Sequence, residues 1–419
     1  MKIRINSSDL LKSLKLHSKS VTKPTPIPIT ACIVINSRKE MASCNLEVFV
    51  TTKLKGEILD ANGTPITINY KIFKDCISKM GKNKQITLDN NDIAWICISD
   101  ESGKIIRQLP ASKYDDFPAE PPMESEKVRF SINKDLLVEG IRNTESFCSE
   151  DETRYVLNGV FIESAVEGKN QTLRFVATDG RQMGKIDKPI SILSKETDFK
   201  AIVHKNIMNI ISLLCSSADG YISVRCNNIM DRLEMEADSF RISLRTIEGT
   251  FPNYNQIIPQ SHDASITFNA SKLLDAMKAL PMPRDSYNKS AQGWDFKVRD
   301  RNLNIIVESE SHEIKANGSI ELEKIDGTLD SEDLQWVDFA VNPEFFMGML
   351  GIVGDKNIRL NYEGALKPLC FIYDDSSMDN WVYILMPTRS SRTPEKAESV
   401  EDEKKDEDKT EVKEEVVNG

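Results

Sequence analysis

Three observations predict an α+β protein in which one unit, two helices against antiparallel sheet, is written three times. Paired leucines open an amphipathic run in NSSDLLKSL (Leu10-Leu11), INKDLLVEGI (Leu136-Leu137) and NASKLLDAMKAL (Leu273-Leu274), at separations of 126 and 137 residues. A second helical pattern follows each, in INYKIFKDCISKM from Ile68, VHKNIMNIISLL from Val203 and VNPEFFMGMLGIV from Val341, at separations of 135 and 138. Each repeat then reaches a proline in DDFP, GTFP and ILMP (Pro118, Pro252, Pro387), 134 and 135 residues apart. Stacked solenoid units are about 20–50 residues long. This period is that of a whole domain, so it signals triplication.

The first helix of each repeat follows an Asn or Ser, whose side chain can accept from the free N–H groups of the first turn. Leu10, Leu11 and Leu14 make one face of the first; Ile72, Phe73, Cys76 and Ile77 are expected on the apolar face of the second. Between the helices lie runs of period two, such as LEVFVTTKLKGEI, TLRFVATD and LNIIVESES, which read as half-buried strands. Asn62-Gly63, Asn90-Asn91 and Asp179-Gly180 fall between apolar runs and supply the turns. The expected domains are 1–125, 126–258 and 259–391. Residues 392–419 hold eleven acids, six bases and no aromatic ring, and should be a disordered acidic tail.

Composition narrows the function classes. With 40% apolar and 28% charged side chains the chain reads as a soluble protein. It has neither a signal-peptide pattern nor an apolar run of membrane length, so a cytoplasmic location is expected. Eight scattered cysteines without a CxxC pair suit small buried hydrophobes in a reducing compartment, and four separated histidines argue against a metal site. No phosphate loop, nucleophile elbow or HExxH is present, so no cofactor and no catalytic residue is expected. The net charge of −11 is partly the tail's, which leaves room for a basic face on the body. Lys12, Lys15 and Lys19 share one side of the first helix, and Lys71 and Lys74 recur on the second. Helices so charged could line a track for a phosphate backbone, with Lys12 and Lys71 as candidate DNA contacts.

The motifs TRYVLNGVFIES (153–164), LRFVATDGRQMG (173–184), FPNYNQIIP (251–259), FAVNPEFF (339–346), IRLNYEGALKPL (358–369) and YILMPTR (383–389) resemble those of the bacterial replicative sliding clamps, the beta subunit of DNA polymerase III holoenzyme. The similarity runs in order over about 1–389 and is strongest after the first domain. It implies a non-catalytic processivity factor: a head-to-tail homodimer closed into a ring around duplex DNA. Its implied partners are the replicative polymerase, a clamp loader and other replication and repair proteins. These would dock short peptides in a hydrophobic cleft between the second and third domains.

By the same resemblance the cleft would comprise Arg154 and Leu157; Thr178, Gly180, Arg181 and Met183; Pro252 and Ile257; Asn342 and Phe345; and Ile384, Leu385, Met386, Pro387, Thr388 and Arg389. Lys23 in TKPTPIPIT and Tyr155 match positions near the duplex. Three features depart from the family's pattern: Arg181-Gln182 where His-Arg is frequent, Thr388 where Met is common, and some thirty extra C-terminal residues. Two other readings are a clamp-like docking platform that does not encircle DNA, and a metal-dependent enzyme on nucleic acid using Asp179 and other acids.

Overall fold

The computed structural model describes residues 1–21, 27–90, 94–167, 170–194, 196–284, 293–309, 312–327, 337–374 and 381–388. Lys23, Arg389, Asn91 and the whole 392–419 segment lie outside the described residues. So do parts of two acid-rich stretches, DNNDIAW and YDDSSMDNW.

One order of elements runs three times along the chain: a strand, a helix, five strands, a second helix and three strands. The first run is β1 (Lys2–Asn6), α1 (Ser7–Leu16), β2 (Cys32–Ile35), β3 (Glu40–Cys44), β4 (Val48–Lys53), β5 (Gly56–Asp60), β6 (Ile66–Asn69), α2 (Tyr70–Ser78), β7 (Gln85–Asp89), β8 (Trp95–Asp100) and β9 (Ile106–Pro110). The second is β10 (Glu126–Asn133), α3 (Lys134–Arg142), β11 (Gly159–Glu167), β12 (Asn170–Thr178), β13 (Gln182–Pro189), β14 (Ser191–Ile192), β15 (Lys200–His204), α4 (Lys205–Cys215), β16 (Tyr221–Asn227), β17 (Arg232–Glu236) and β18 (Phe240–Arg245). The third is β19 (Ala264–Asn269), α5 (Ala270–Lys278), β20 (Trp294–Arg299), β21 (Asn302–Ser309), β22 (Ile314–Glu321), β23 (Lys324–Gly327), β24 (Asp338–Val341), α6 (Pro343–Val353), β25 (Asn357–Tyr362), β26 (Leu369–Tyr373) and β27 (Val382–Leu385).

Each of these α-helices starts at the end of a strand, and the junction residue caps it. Asn6, Asn69, Asn133, Asn269 and Asn342 accept a backbone N–H of the first turn through their side chains, and His204 does so for α4. Each such cap is worth about 1 kcal/mol, and together they fix where strand becomes helix. The helices pair as α1 with α2, α3 with α4 and α5 with α6.

The chain divides into two compact units, Met1–Pro259 with Cys370–Ile384, and Gln260–Leu369 with the segment from Leu385 on. In the first unit one sheet is ordered β5-β1-β7-β8-β9, and a second β14-β10-β16-β17-β18-β4-β3-β2-β6. A third includes β15-β11-β12-β13-β27-β26. The β18–β4 pairing, with Ile242 opposite Val50, carries one sheet from the second run of elements into the first. The second unit has β22-β21-β20-β24, and β19 between β25 and β23. The strand that leads into the first helix of each run is paired antiparallel: β1 with β7, β10 with β16 and β19 with β25.

The core under α1 and α2 is built from alternate strand positions (Ile3, Ile5, Ile86, Leu88) and one helix stripe each (Leu10 and Leu14; Phe73 and Ile77), all at most 1% exposed. Ile72 departs from expectation: it is 45% exposed, because the 100° step per residue turns it away from the side that buries Phe73. No helix of the described residues is long and apolar enough to cross a membrane.

Candidate partner-binding site

The turn Asp179-Gly180-Arg181 joins β12 to β13 and is held by its own carboxylate. Asp179 Oδ1 accepts the backbone N–H of Arg181 (2.8 Å) and of Gln182 (3.0 Å), and Oδ2 accepts Gln182 Nε2 (2.9 Å). Thr178 Oγ1 donates to the Gln182 carbonyl (2.7 Å) and accepts Gly180 N–H (3.0 Å). Gly180 sits at φ +89°, a left-handed conformation that costs glycine little. Arg154 closes the turn from outside: Nη1 donates to the Asp179 carbonyl (2.7 Å), while Nε reaches Asp151 Oδ2 (3.0 Å) and Nη2 reaches Ser149 Oγ (3.2 Å). Both Asp179 oxygens are therefore engaged in shaping a turn. Among the described residues no group of three or more His, Cys, Asp or Glu is placed to hold a metal ion.

Beneath the turn lies an apolar floor: Leu157, Val176, Met183, Ile202, Phe251, Tyr254, Cys370 and Ile384 form one buried cluster. Of the expected site residues, Leu157 (8% exposed), Met183 (0%) and Ile384 (1%) belong to this floor and offer little open surface themselves. Phe161 stacks on Phe251, with centroids 4.9 Å apart and planes 7° apart, and Tyr254 lies tilted beside them. The Tyr254 hydroxyl donates to Glu163, and burial together with that bond pushes its pKa up to about 12. Arg174 grips Asp187 with two 2.8 Å bonds, a bidentate pair with fixed geometry that locks β12 to β13.

Around the floor, Arg154 and Arg181 are exposed, as are Pro252 and Ile257 (38%). In the second unit, Asn342 spends its side chain on capping α6, accepting Glu344 N–H at 2.8 Å, and Phe345 follows in the first turn, half-buried. Leu385 is fully buried, Met386 is 41% exposed, and Thr388 N–H donates to the Ala340 carbonyl (2.7 Å). That bond ties the 386–388 segment to the strand leading into Asn342.

Sequence reasoning missed Gln182 as a structural residue. Its Oε1 accepts the hydroxyl of Tyr383 (2.8 Å), a fully buried ring on β27 that also packs on Phe147 at 4.9 Å. The same amide thus links the turn to a strand two hundred residues away. A Gln in a period-two run carries no signal of such a contact. Phe251 and Tyr254 lay inside a recognised motif, and two rings three residues apart flanking Pro252 were the available clue.

The candidate DNA contacts fall elsewhere. Lys12, Lys15, Lys19, Lys71 and Lys74 are exposed on or beside α1 and α2. Lys12 is shared with Asp9 (3.3 Å), and Lys19 Nζ donates to Asn209 of α4 (3.2 Å), bringing that helix beside α1. Arg142 on α3 is exposed as well. Tyr155 is 56% exposed in the 3-10 turn Glu152–Leu157 next to Arg154, and is not on these helices. All eight cysteines are free, and burial raises the thiols of Cys148, Cys215 and Cys226 to about 12, so these three stay protonated at neutral pH.

Residues 131–253 match the family model of the DNA polymerase III beta subunit, central domain. A beta sliding clamp of Synechocystis sp. is 25% identical over 413 residues, covering 93% of this chain and 99% of the relative. One from Buchnera aphidicola is 26% identical over 373 residues, covering 87% and 94%. Among solved structures, the beta subunit from Streptococcus pyogenes DNA polymerase superposes with a TM-score of 0.80 at 16% identity, and the Bacillus subtilis sliding clamp with 0.79 at 19%. Each covers 93% of this chain, and 100% and 99% of the other. By its central domain, by sequence along nearly its whole length and by fold, this chain is a relative of the bacterial beta sliding clamps.

Proposed function

We propose that this chain is a DNA polymerase processivity factor, two copies of which close into a ring around duplex DNA. The division into domains 1–125, 126–258 and 259–391 is part of the proposal. The observation that carries it is a pair of open sheet edges. Within the first unit the last strand of one run of elements pairs with the third strand after the first helix of another: β18 with β4, and β27 with β13. The same scheme leaves β9, the last strand of the first run, and β22, the corresponding strand of the third run, at the ends of their sheets. Open edges invite pairing. β9 also shows Ile106 at 61% and Ile105 just before it at 45% exposure, more apolar surface than an edge facing water tolerates. A β9 of one copy on β22 of the next is a head-to-tail contact, which closes when the rotation per copy is right.

The mechanism needs no chemistry of the chain. Lysines on the helices interact with phosphates through screened, sequence-independent contacts, weak enough to slide. Enclosure supplies the grip. A polymerase bound through a peptide at the surface around Asp179–Arg181 then meets the primer end again at high effective concentration, which lengthens each synthesis run. The exposed Pro252 and Ile257, backed by the buried apolar floor, suit a few anchoring side chains, which carry most of the affinity in such sites. A clamp loader and other replication and repair proteins would share that surface.

The test is mass and topology. The wild type should run at twice the 47.3 kDa chain mass, and Ile106→Asp should run as a monomer. After loading, the wild type should remain on nicked circular DNA at high salt and leave when the circle is cut. Equal retention on linear and circular DNA would refute the ring.

A further inference from the structure

The β3–β4 turn of the first run repeats the backbone N–H bonds of the Asp179 turn. Asn45 Oδ1 accepts the N–H groups of Glu47 (3.2 Å) and Val48 (2.9 Å), as Asp179 Oδ1 does those of Arg181 and Gln182. Leu46 takes φ +77° where Gly180 takes +89°, and its N–H reaches Cys44 Sγ (3.1 Å) where Gly180 reaches Thr178. The sheet registers extend the correspondence. Cys32 lies opposite the helix cap Asn69, and Gly159 opposite the helix cap His204. Two residues on, Val34 therefore matches Phe161, and through their cross-strand partners Ala42 matches Val176. Phe49, opposite Cys44, matches Met183, opposite Thr178. In sequence, Phe117-Pro118 matches Phe251-Pro252, which puts Glu120 at the place of Tyr254.

The two positions share a frame but not a filling. In the second run Phe161 stacks on Phe251 with Tyr254 alongside. In the first, valine, alanine and a carboxylate replace Phe161, Val176 and Tyr254, so two of those three rings are gone, while Phe49 adds a ring where the second run has Met183. What remains is a pocket of about 360 Å³ lined by Val34, Ala42, Phe49, Phe117, Glu40 and Glu120, among others. That volume falls in the range of small-ligand sites, and half of the lining residues are polar or charged, with Arg38, Asp115 and Arg241 beside Glu40 and Glu120. Glu40 accepts Asn36 Nδ2 (2.8 Å) and Glu120 accepts Arg241 Nη2 (2.8 Å). An ionised carboxylate has about four acceptor positions, so each retains room for another donor.

We propose that this pocket is a second recognition site, which takes a tyrosine side chain of a partner peptide. The ring lies on Phe117 over Val34 and Ala42, as Phe161 lies on Phe251 in the second run, and its hydroxyl donates to Glu120. The side chain the fold supplies to itself in one run is supplied from outside in the other. This pocket lies wholly within the first unit and its occupancy is independent of ring closure.

N-acetyl-L-tyrosinamide, N-acetyl-L-phenylalaninamide and N-acetyl-L-leucinamide, titrated into the full chain with valine methyls labelled for NMR, test it. The tyrosine probe should shift the Val34 methyls with a dissociation constant in the millimolar range, ahead of phenylalanine, with leucine weakest. Val34→Phe, which restores the second run's residue, should abolish binding, read in that variant at the methyls of Val50, which also lines the pocket, while the protein melts as the wild type does. Should that variant fail to fold, Glu120→Gln decides: it must weaken the tyrosine probe and leave the phenylalanine probe unchanged. A leucine probe binding as well as tyrosine, a Val34 methyl that does not respond, or a Glu120→Gln variant that treats all probes alike overturns the assignment.

Discussion

His17 offers the sharpest test of the energetics of the fold. It ends α1 and is completely buried, with Nδ1 2.7 Å from Ser43 Oγ and Nε2 2.9 Å from Thr52 Oγ1. Ser20 Oγ meets Ser43 behind it, and among the described residues no carboxylate bonds to the ring. Neutral imidazole, with one donor and one acceptor, is satisfied by two hydroxyls; imidazolium would bring an uncompensated charge into the core. Burial accordingly lowers its pKa from 6.5 to about 3. Between those values the unfolded chain binds a proton that the folded chain refuses, so stability is full above pH 6.5 and is lost as pH falls below it. Two pH units below 6.5, at about 1.4 kcal/mol each, give about 2.7 kcal/mol lost by pH 4.5. Urea unfolding of the wild type and His17→Gln at pH 7.5 and 4.5, at one protein concentration, isolates this group, since other titrations are common to both. The advantage of the wild type over the variant should shrink by that amount on acidification. An advantage that stays constant across the two pH values would show that the ring is charged when folded, or that it is not buried, and the reasoning fails.

Three further outcomes are expected. Tyr383→Phe strands Gln182 Oε1 without its donor and should cost about 1–3 kcal/mol, read as a lower melting temperature. Gly180→Ala should lose about 1–2 kcal/mol for a left-handed alanine. The chain should still fold, because the nearest atom to the added methyl is Arg154 Nη1 at 3.1 Å, the movable end of a side chain, and Leu46 already adopts this conformation in the matching turn. Replacing Lys71 and Lys74 together with alanine should reduce the salt dependence of duplex binding, in log–log slope, by up to about 2; an unchanged slope would exclude α2 from the DNA face.

The helices were legible because their signals are local. Asn6, Asn133 and Asn269 each announce a start one residue before it, and Leu10 with Leu14 shows a face by spacing alone. The Asp179 turn was equally plain, since its bonds run within four residues. Ile72 was assigned to the wrong face because it neighbours Phe73 in a short helix where one residue shifts the stripe by 100°. Gln182 was recognisable only as a departure from a pattern, because its partner Tyr383 lies two hundred positions on. His17 reads in sequence as one polar residue after a helix, and nothing near it predicts two hydroxyls from β3 and β4.

By itself, the sequence determined the threefold order of elements, the caps and strand alternation that generate it, and the likeness to a clamp. These follow from contacts of a few residues or from repetition, which a linear text records. Only the tertiary structure decided which strands meet: that β27 lies beside β13, that β18 extends β4, and that β9 and β22 end their sheets. It also decided that one copy of a shared frame is filled with rings while the other holds a pocket. Strand pairing between distant segments and the volume left between side chains are sums over many long-range contacts, and no single stretch of chain carries them.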